Sequence, residues 1–354
     1  MMAQEQRAPR RTTIGDIAER AGVSKGAVSY ALNQRPGISD ETRERILRIA
    51  EELGWYPNRA ARALSAARAD ACGFVLARPP RTLAVEAFFA EFLGGVESEL
   101  ASHSLALTLQ LATDIEMEIE VYRRWWGERR VDGVLVMDLR VDDPRLAALA
   151  QLGLPAVVVG GPAPDGSLPC VWHDERAAVE EVVRYLAALG HRRIARVEGV
   201  SGFLHSVLRS NAFREVTSDL GIDSTVVPTD YSPESGARAT RRLLSNPEPP
   251  TAIAYDSDAL AATGLGVALQ MGFTVPDDVS IVAWDDSLLC QVVHPPLTTL
   301  TRDVSKYGAL ACRHLLAVIE AAGGELGDIE TPRAELTTRG STGPAPTENR
   351  SFRG

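Results

Sequence analysis

The 354-residue chain has few cysteines and no long hydrophobic run. Its four cysteines lie far apart and form no CxxC pair, which argues against a zinc ribbon, a redox motif and a disulfide-dense secreted scaffold. The longest apolar stretch, 146–161, is broken by Gln151 and Pro155 and is too short to span a membrane. The polar, arginine-rich N-terminus lacks the apolar segment of a secretory signal. We therefore expect a cytoplasmic protein with no membrane partner.

The motifs of the common enzyme classes are also missing. The sequence contains no GxxxxGKS, HExxH or GxSxG, and Leu269 stands where a dinucleotide fingerprint starting at Gly264 needs its third glycine. Asp285 and Asp286 are adjacent carboxylates after a predicted strand, so their side chains point in different directions. The six histidines show no metal-ligand spacing. We predict no enzymatic activity, no cofactor and no metal site.

Charge is distributed unevenly along the chain. Residues 1–68 contain 12 Lys and Arg against 8 Asp and Glu, a balance of +4, which leaves −14 for the remainder of a chain whose total is −10. This asymmetry is typical of a small nucleic-acid-binding head on an acidic body, although a solvated pair of helices would also show it. The length and a hydrophobic content of 45% indicate a globular protein of two or three domains.

The first helix signals appear at Thr13 and Asp16, which have the spacing of a capping box. Gly22 ends this helix where a left-handed backbone is needed, and Ser24 can cap a second helix over 25–32. The tight turn between two short helices predicts a helix-turn-helix, whose second helix can enter the major groove of DNA. A generic three-helix bundle is the alternative.

A third helix is predicted over 40–53, with Ser39 as its cap. Its inward face is predicted from helical spacing to comprise Ile46, Leu47, Ala50 and Leu53.

The segment from Thr12 to Leu64, TTIGDIAERAGVSKGAVSYALNQRPGISDETRERILRIAEELGWYPNRAARAL, closely resembles the DNA-binding headpiece of the LacI/GalR family of bacterial transcription regulators. The resemblance implies a hinge helix after Pro57, which pairs with that of a second subunit in the minor groove. Leu64 would then wedge into the central base step and kink the duplex, or else be an ordinary buried leucine. The residues placed at the minor groove are Asn58, Arg59, Ala61 and Leu64.

The same resemblance places Lys25, Gly26 and Tyr30 at the base edges. Lysine can donate to guanine O6 and N7, and a tyrosine ring can pack on a thymine methyl group. Gly26 has no side chain to offer, which shifts base recognition to the other two residues. Short polar side chains that would contact phosphates, and so position rather than specify, are Thr13, Ser24, Ser29 and Asn33.

Apolar, strand-like runs alternate with helical patterns from about residue 70 onward. The predicted strands cover 72–77, 105–111, 133–137, 156–160, 194–198, 252–255 and 279–283. The predicted helices cover 84–102, 175–190, 206–220, 233–245, 257–272 and 304–322. This alternation predicts an α/β body of parallel sheets with helices on both faces. The body is long for one sheet, so we expect two lobes with a ligand cleft between them.

Signatures in the body extend the resemblance, among them LGHRRIA, VPDDVSIVAWDD and HPPLTTL. They imply a regulatory domain similar to periplasmic sugar-binding proteins. Its N-lobe would comprise about 71–173 plus 302–332, and its C-lobe about 174–301 plus 333–341. The implied organisation is a flexible arm (1–11), a DNA-binding domain (12–56), a hinge (57–69), an effector-binding and dimerisation domain (70–341) and a disordered tail (342–354).

The resemblance also carries over a ligand pocket. Arg209 matches an arginine that binds ligand oxygens, Asp285 a carboxylate that accepts from the ligand, and Tyr231 an aromatic residue that stacks on it. Two phenylalanines could form the opposite wall or be plain core, and Arg209 and Asp285 could simply pair with each other. The full predicted effector set is Phe88, Phe89, Arg209, Tyr231, Ser257, Asp285 and Arg302.

These features together imply a transcriptional regulator, expected to be a repressor. A homodimer would bind a pseudo-palindromic operator, and a small molecule in the cleft would control operator affinity allosterically. A sugar or sugar derivative is the expected effector. Gly160 stands where some sugar-binding members have aspartate, which leaves a nucleobase or nucleoside open. The alternative from another class is a solute-binding protein without operator function.

Lys25→Ala is expected to relax the preference at one base pair of each half-site by about 1–3 kcal/mol, because a lysine donor at a base edge would be lost. The measurement is fluorescence anisotropy with a set of operators that differ by single base pairs. An equal loss of affinity for every operator would instead identify Lys25 as a phosphate contact.

Overall fold

A computed structural model describes residues 12–33, 35–55, 68–163, 166–321, 324 and 326–347. The chain divides into two compact units, Met1–Ala69 and Asp70–Gly354. Within the described residues, no helix is both long enough and apolar enough to cross a membrane. The N-terminal arm and the predicted hinge helix lie outside the described residues.

The helix-turn-helix of the first unit is confirmed. Its helices are α1 (Ile14–Ala21), α2 (Lys25–Leu32) and α3 (Asp40–Glu52). The backbone N–H of Thr13 donates to Asp16 Oδ2 at 2.7 Å, so the capping box is formed. Gly22 ends α1 with a φ of 64°, a left-handed conformation that suits glycine.

The core of this unit is small and includes Ile17, Val28 and Ile46 from the three helices. The prediction that Leu47 points inward is wrong, since its side chain is 44% exposed. Leu47 follows Ile46 by one helical step of about 100°, which carries it off the buried face.

The N-lobe of the second unit is built on a six-stranded parallel sheet. Its strands are β1 (Ala71–Leu76), β2 (Ala106–Leu111), β3 (Gly133–Met137), β4 (Ala156–Val159), β5 (Cys170–Trp172) and β11 (Ile329–Glu330), in the spatial order β11-β5-β4-β3-β1-β2. The accompanying helices are α4 (Pro80–Val85), α5 (Ala87–Ser102), α6 (Ile115–Gly127), α7 (Pro144–Leu152) and α13 (Val304–Glu320).

The C-lobe has a second six-stranded sheet. Its strands are β6 (Arg193–Glu198), β7 (Asp223–Pro228), β8 (Ala252–Tyr255), β9 (Ser280–Trp284), β10 (Thr298–Thr301) and β12 (Glu335–Thr337), in the spatial order β12-β10-β9-β8-β6-β7. Its helices are α8 (Glu175–Ala188), α9 (Leu204–Asp219), α10 (Pro233–Leu244), α11 (Asp258–Gln270) and α12 (Leu288–Val292). All neighbouring strands are parallel except β12, which pairs antiparallel with β10. The predicted α/β class is therefore confirmed.

Two segments differ from their predictions. The helix expected over 84–102 is interrupted at Glu86, whose extended backbone separates α4 from α5. Residues 342–347, expected in a disordered tail, lie against the C-lobe. The Thr342 hydroxyl is 2.7 Å from that of Tyr185, and the Ala345 N–H donates to the Leu189 carbonyl at 2.8 Å. Hydrogen bonds to the end of α8 thus order part of a segment whose composition is polar.

Two glycines allow α5 and α13 to cross at close range. A Cβ atom built on Gly95 would clash with the backbone carbonyl of Ser305, and one on Gly308 would clash with that of Phe92. Neighbouring Gly94 has open space at the same position. The crossing therefore requires the absence of a side chain at Gly95 and Gly308, but not at Gly94.

Gly95→Ala is expected to lower the free energy of unfolding of the body by about 1–3 kcal/mol, because backbone atoms of α13 must move. Gly94→Ala is the matched control and should be neutral or stabilise the helix by up to about 1 kcal/mol. Both effects can be measured by denaturant unfolding. Equal stability of the two variants would contradict the close crossing.

Candidate functional site

A cleft between the two lobes lies at the carboxyl ends of their parallel strands, the usual place for a ligand in open α/β sheets. It encloses about 600 Å³ of space free of protein atoms, part of it open to solvent. The structure brings all seven predicted effector residues to its lining: Phe88, Phe89, Arg209, Tyr231, Ser257, Asp285 and Arg302. Gly160 lines it as well.

A chain of ion pairs and hydrogen bonds runs along the cleft. Arg209 Nη2 donates to Glu175 Oε1 at 2.8 Å, and His173 Nε2 lies 2.8 Å from the same oxygen. Arg302 Nη1 lies 2.7 Å from His173 Nε2 and 3.1 Å from His173 Nδ1. Arg302 in turn donates to both carboxylate oxygens of Asp285, at 2.6 and 3.1 Å. Arg209 and Asp285 therefore have separate partners, which contradicts the alternative that they pair with each other.

The protonation states along this chain follow from burial and neighbouring charge. Burial would raise the pKa of Glu175, but the positive charge of Arg209 and the hydrogen bonds from His173 and Arg209 outweigh it and hold that pKa well below its usual range. Burial lowers the pKa of His173, and the Arg302 charge lowers it further against the opposing effect of Glu175. A neutral His173 has one ring N–H to donate, for which Glu175 is an acceptor, and one bare ring nitrogen that can accept from Arg302.

Arg78 is a further cleft residue that the sequence prediction missed. It follows β1, and its guanidinium donates to both oxygens of Asp138 at 2.7 and 2.9 Å. Its guanidinium carbon also lies 4.7 Å from the ring centroids of Phe203 and Tyr231. Because Asp138 belongs to the N-lobe and the two rings to the C-lobe, Arg78 joins the lobes through cation–π contact.

Backbone contacts join the lobes beside Arg78. The Leu204 N–H donates to the Leu139 carbonyl at 2.6 Å, and Arg140 and Phe203 form an isolated antiparallel bridge. These contacts link the segment after β3 to the start of α9. When one lobe moves relative to the other, these backbone contacts and the Arg78 contacts are therefore broken or kept together.

The aromatic residues of the cleft belong to its walls and to the core at once. Phe89 is buried in the N-lobe core, whereas Phe88 is half-buried and stacks on Phe92 with an angle of 18° between the rings. Tyr231 lies on the opposite, C-lobe side, with its hydroxyl 3.2 Å from His205 Nε2. The Ser257 hydroxyl caps α11 by accepting from the Leu260 N–H at 3.2 Å. The predicted aromatic walls thus face each other across the cleft.

Two carboxyl groups in the cleft have raised pKa values. Burial, together with the negative charges of Asp138, Asp258 and Asp285, raises the pKa of Glu86 to about 8 despite the nearby Arg78. The Arg78 charge is the largest opposing effect, but burial and the three negative charges together exceed it. Burial also raises the pKa of Asp258. Neither acid was predicted; Glu86 is the residue at which the predicted helix breaks.

The predicted base-reading residues lie together on α2. Lys25, Gly26 and Tyr30 are all exposed, and Tyr30 has 43% of its surface accessible. The Lys25 side chain passes over α1, since a Cβ built on Gly15 would lie 3.4 Å from Lys25 Cε. The small residue Gly15 in α1 thus leaves room for the longer side chain of Lys25 in α2.

The predicted phosphate contacts also hold local structure. The hydroxyls of Thr13 and Ser24 cap α1 and α2, and the Asn33 side-chain amide donates to the Ser29 carbonyl at 2.9 Å. The predicted minor-groove residues lie outside the described residues: Asn58, Arg59, Ala61 and Leu64. In the part of the chain that the structure describes, no group of three or more His, Cys, Asp and Glu side chains is arranged to hold a metal ion.

A helix-turn-helix unit and a two-lobed body with an interlobe cleft define a DNA-binding transcriptional regulator with a ligand-binding type of body. Comparison with protein families agrees. Residues 13–58 match the family of bacterial regulatory proteins, lacI family, and residues 183–342 match the periplasmic binding protein-like domain.

The chain is similar along nearly its whole length to named regulators. It is 33% identical over 347 residues to the HTH-type transcriptional regulator AglR of Rhizobium meliloti, covering 94% of this chain and 95% of AglR. It is 32% identical over 312 residues to the HTH-type transcriptional regulator CelR of Thermobifida fusca, covering 87% and 92% of the two chains. The chain therefore belongs to the LacI family of transcriptional regulators, and its relatives are regulators rather than enzymes.

Solved structures agree with the fold. The CelR–cellobiose complex superposes with a TM-score of 0.72 at 29% identity, covering 94% of this chain and all of that one (100%). The lac repressor dimer bound to operator and the anti-inducer ONPF superposes with a TM-score of 0.82, with the same coverages, but at 24% identity. The second likeness concerns the fold alone.

Glu86→Gln is expected to raise the melting temperature at about pH 9 and to have much less effect at about pH 5. A carboxyl whose pKa is raised on folding favours the folded state below its unfolded pKa, and this contribution is lost as the pH rises towards about 8. The variant cannot ionise, so its advantage over the unmodified chain should grow by several degrees across this range.

Thermal unfolding at several pH values provides the measurement. Glu97→Gln, at an exposed position of α5, the helix that Glu86 precedes, is the matched control and should show no such growth. A constant difference between Glu86→Gln and the unmodified chain at all pH values would contradict the raised pKa of Glu86.

Proposed function

We propose that this chain is a homodimeric, operator-binding regulator whose affinity for DNA is controlled by a small molecule bound in the interlobe cleft. The observation that carries this proposal is the convergence of seven residues, predicted from separate segments of the sequence, on one cavity. They come from both lobes, so a ligand that contacts them will bias the arrangement of the lobes.

Coupling between the cleft and DNA is supported by the contacts that join the lobes. Arg78 lines the cavity and also packs between Phe203 and Tyr231. A ligand in the cavity therefore touches a residue that holds the lobes together. Any effect of the ligand on operator affinity must be matched by an equal effect of the operator on ligand affinity.

For the DNA side, we propose that two copies of α2 read the half-sites of a pseudo-palindrome. The exposed positions of Lys25 and Tyr30 support this role. Two-fold related recognition helices call for half-sites about one helical turn apart or slightly more. The role of Leu64 as a minor-groove wedge is part of the same proposal.

A sugar or sugar derivative is the proposed effector. Guanidinium and carboxylate groups beside aromatic faces are suited to a hydroxyl-bearing ring, whose flat side packs on the aromatic residues. The cellobiose complex of CelR supports a sugar as well. A nucleobase or nucleoside is the second candidate, because the half-buried Phe88 ring offers a flat stacking surface and Gly160 supplies no acid.

The test begins with a thermal-shift panel of sugars, polyols and nucleosides on the full chain. A ligand at 100 times its dissociation constant stabilises the folded state by about 2.7 kcal/mol, which shifts the melting temperature by several degrees. Operator affinity is then measured with and without each ligand, on DNA selected from a random pool. A ligand that binds without changing operator affinity would contradict allosteric control.

Arg209→Lys is expected to weaken ligand binding at least tenfold while preserving operator affinity in the absence of ligand. Lysine keeps a positive charge beside the buried Glu175, whereas alanine would leave that charge unpaired and destabilise the fold. The matched control is Arg176→Lys, since Arg176 and Glu215 join the same two helices at the surface. Unchanged ligand binding by Arg209→Lys would remove Arg209 from the ligand contacts.

A further inference from the structure

All three arginines that line the cleft are already neutralised by carboxylates. Arg78 is paired with Asp138 through two hydrogen bonds, and Arg302 is paired with Asp285 in the same way. Arg209 donates through Nε and Nη2 to the two oxygens of Glu175. Bidentate pairs of this kind use the fork of the guanidinium that would otherwise recognise a phosphate or carboxylate of a ligand.

Three further carboxylates line the cleft, so acids outnumber arginines by six to three. Asp256 is paired with Arg196, from which it accepts at 2.9 and 2.6 Å. Glu86 Oε1 lies 3.4 Å from Arg78 Nη1, but Arg78 is already paired with Asp138. Asp258 accepts from the Ser287 hydroxyl and the Ala259 N–H, and among the described residues no basic side chain forms a salt bridge with it.

The remaining titratable side chains of the cleft add no compensating positive charge. Burial lowers the pKa of His205 to about 4, helped by the Arg209 charge, and lowers the pKa of His173 as well. Both imidazoles are therefore neutral at pH 7. An anionic ligand would meet arginines that are already neutralised, and the other titratable side chains that it meets are acidic or neutral.

Glu86 and Asp258 approach the cleft from opposite lobes. Glu86 precedes α5 of the N-lobe, whereas Asp258 begins α11 of the C-lobe, and their exposed fractions are 7% and 5%. A ligand hydroxyl or ammonium group can donate to such carboxyl oxygens without displacing an existing ion pair. An anion, in contrast, would have to displace a carboxylate from an arginine and leave it buried without its partner, which is costly.

We infer that this effector site rejects anions and takes an uncharged or cationic ligand rich in hydrogen-bond donors, with Glu86 and Asp258 as the acceptors that determine this specificity. The inference rests on the proposed effector function of the cleft. It separates neutral sugars and nucleosides from sugar phosphates, sugar acids and nucleotides.

The test is calorimetric titration of the full chain with matched neutral and anionic probes: cellobiose and cellobionate, trehalose and trehalose 6-phosphate, and adenosine and adenosine monophosphate. For each pair whose neutral member binds, the anionic member is expected to bind at least tenfold more weakly. An anionic member that binds as tightly as its neutral partner, or more tightly, would overturn the inference while leaving the proposed effector function intact.

Two variants identify the acceptors. At about pH 9, where Glu86 is ionised, Asp258→Asn and Glu86→Gln should each reduce the ratio of neutral to anionic affinity at least threefold, because each then removes a negative charge from the cleft. The control is Asp219→Asn, at an exposed position at the end of α9, which should leave the ratio unchanged. Unchanged ratios in both cleft variants would overturn the assigned acceptors. Absence of binding by every probe would overturn the proposed effector classes, and this inference with them.

Discussion

Burying three guanidinium groups between two lobes requires each of them to keep a carboxylate partner, and much of the body depends on this constraint. The side chains of Arg78, Arg209 and Arg302 are between 5% and 13% exposed in their salt bridges. A buried charge without a partner costs several kcal/mol, so the partners must come from strands and helices that the fold places nearby. The carboxyl ends of the parallel strands supply these positions.

Arg78 links this electrostatic constraint to the relation between the lobes. Its ion pair with Asp138 is internal to the N-lobe, whereas its contacts with Phe203 and Tyr231 reach the C-lobe. If the rings of Phe203 and Tyr231 moved away from the Arg78 guanidinium, Arg78 would stay paired with Asp138 but would be more exposed to water. At Arg78 the lobes can therefore separate without breaking the ion pair with Asp138, whereas the Arg302–Asp285 pair and the 4.0 Å contact of Arg81 with Asp230 join residues of opposite lobes. A ligand shifts the arrangement of the lobes only as far as its affinity differs between the two arrangements.

The parts of the fold that the sequence predicted are those with strong local signals. The helices of the head have capping residues, and buried strands such as β3 and β8 have continuous apolar runs. Both signals lie within a few residues of sequence, so they can be recognised without knowledge of the fold. Strand β7 has a mixed burial pattern at the edge of its sheet, and β5 is only three residues long. Neither carries a period that distinguishes it from a loop, so both depend on pairing with distant strands.

The seven cleft residues were predicted from a resemblance carried over position by position, not from local physics. Glu175, the partner of Arg209, and the pair of Arg78 with Asp138 escaped because these ion pairs form only through the fold, across 34 and 60 residues of sequence. One usable signal was present, since a charged residue follows each of the apolar strands β1 and β3 within two positions. In an open α/β sheet such residues lie at the ligand edge.

Backbone conformation at the cleft shows a further constraint that no sequence pattern revealed. Asp138, Tyr231 and Asp285 have positive φ values of 56°, 63° and 65°. Aspartate tolerates this region, but it is unfavourable for a bulky residue such as tyrosine. The fold holds Tyr231 there by packing its ring against Gly199, where any added Cβ would clash with the ring. A strained tyrosine held against a glycine thus places its ring 4.7 Å from the Arg78 guanidinium carbon and in the lining of the cavity.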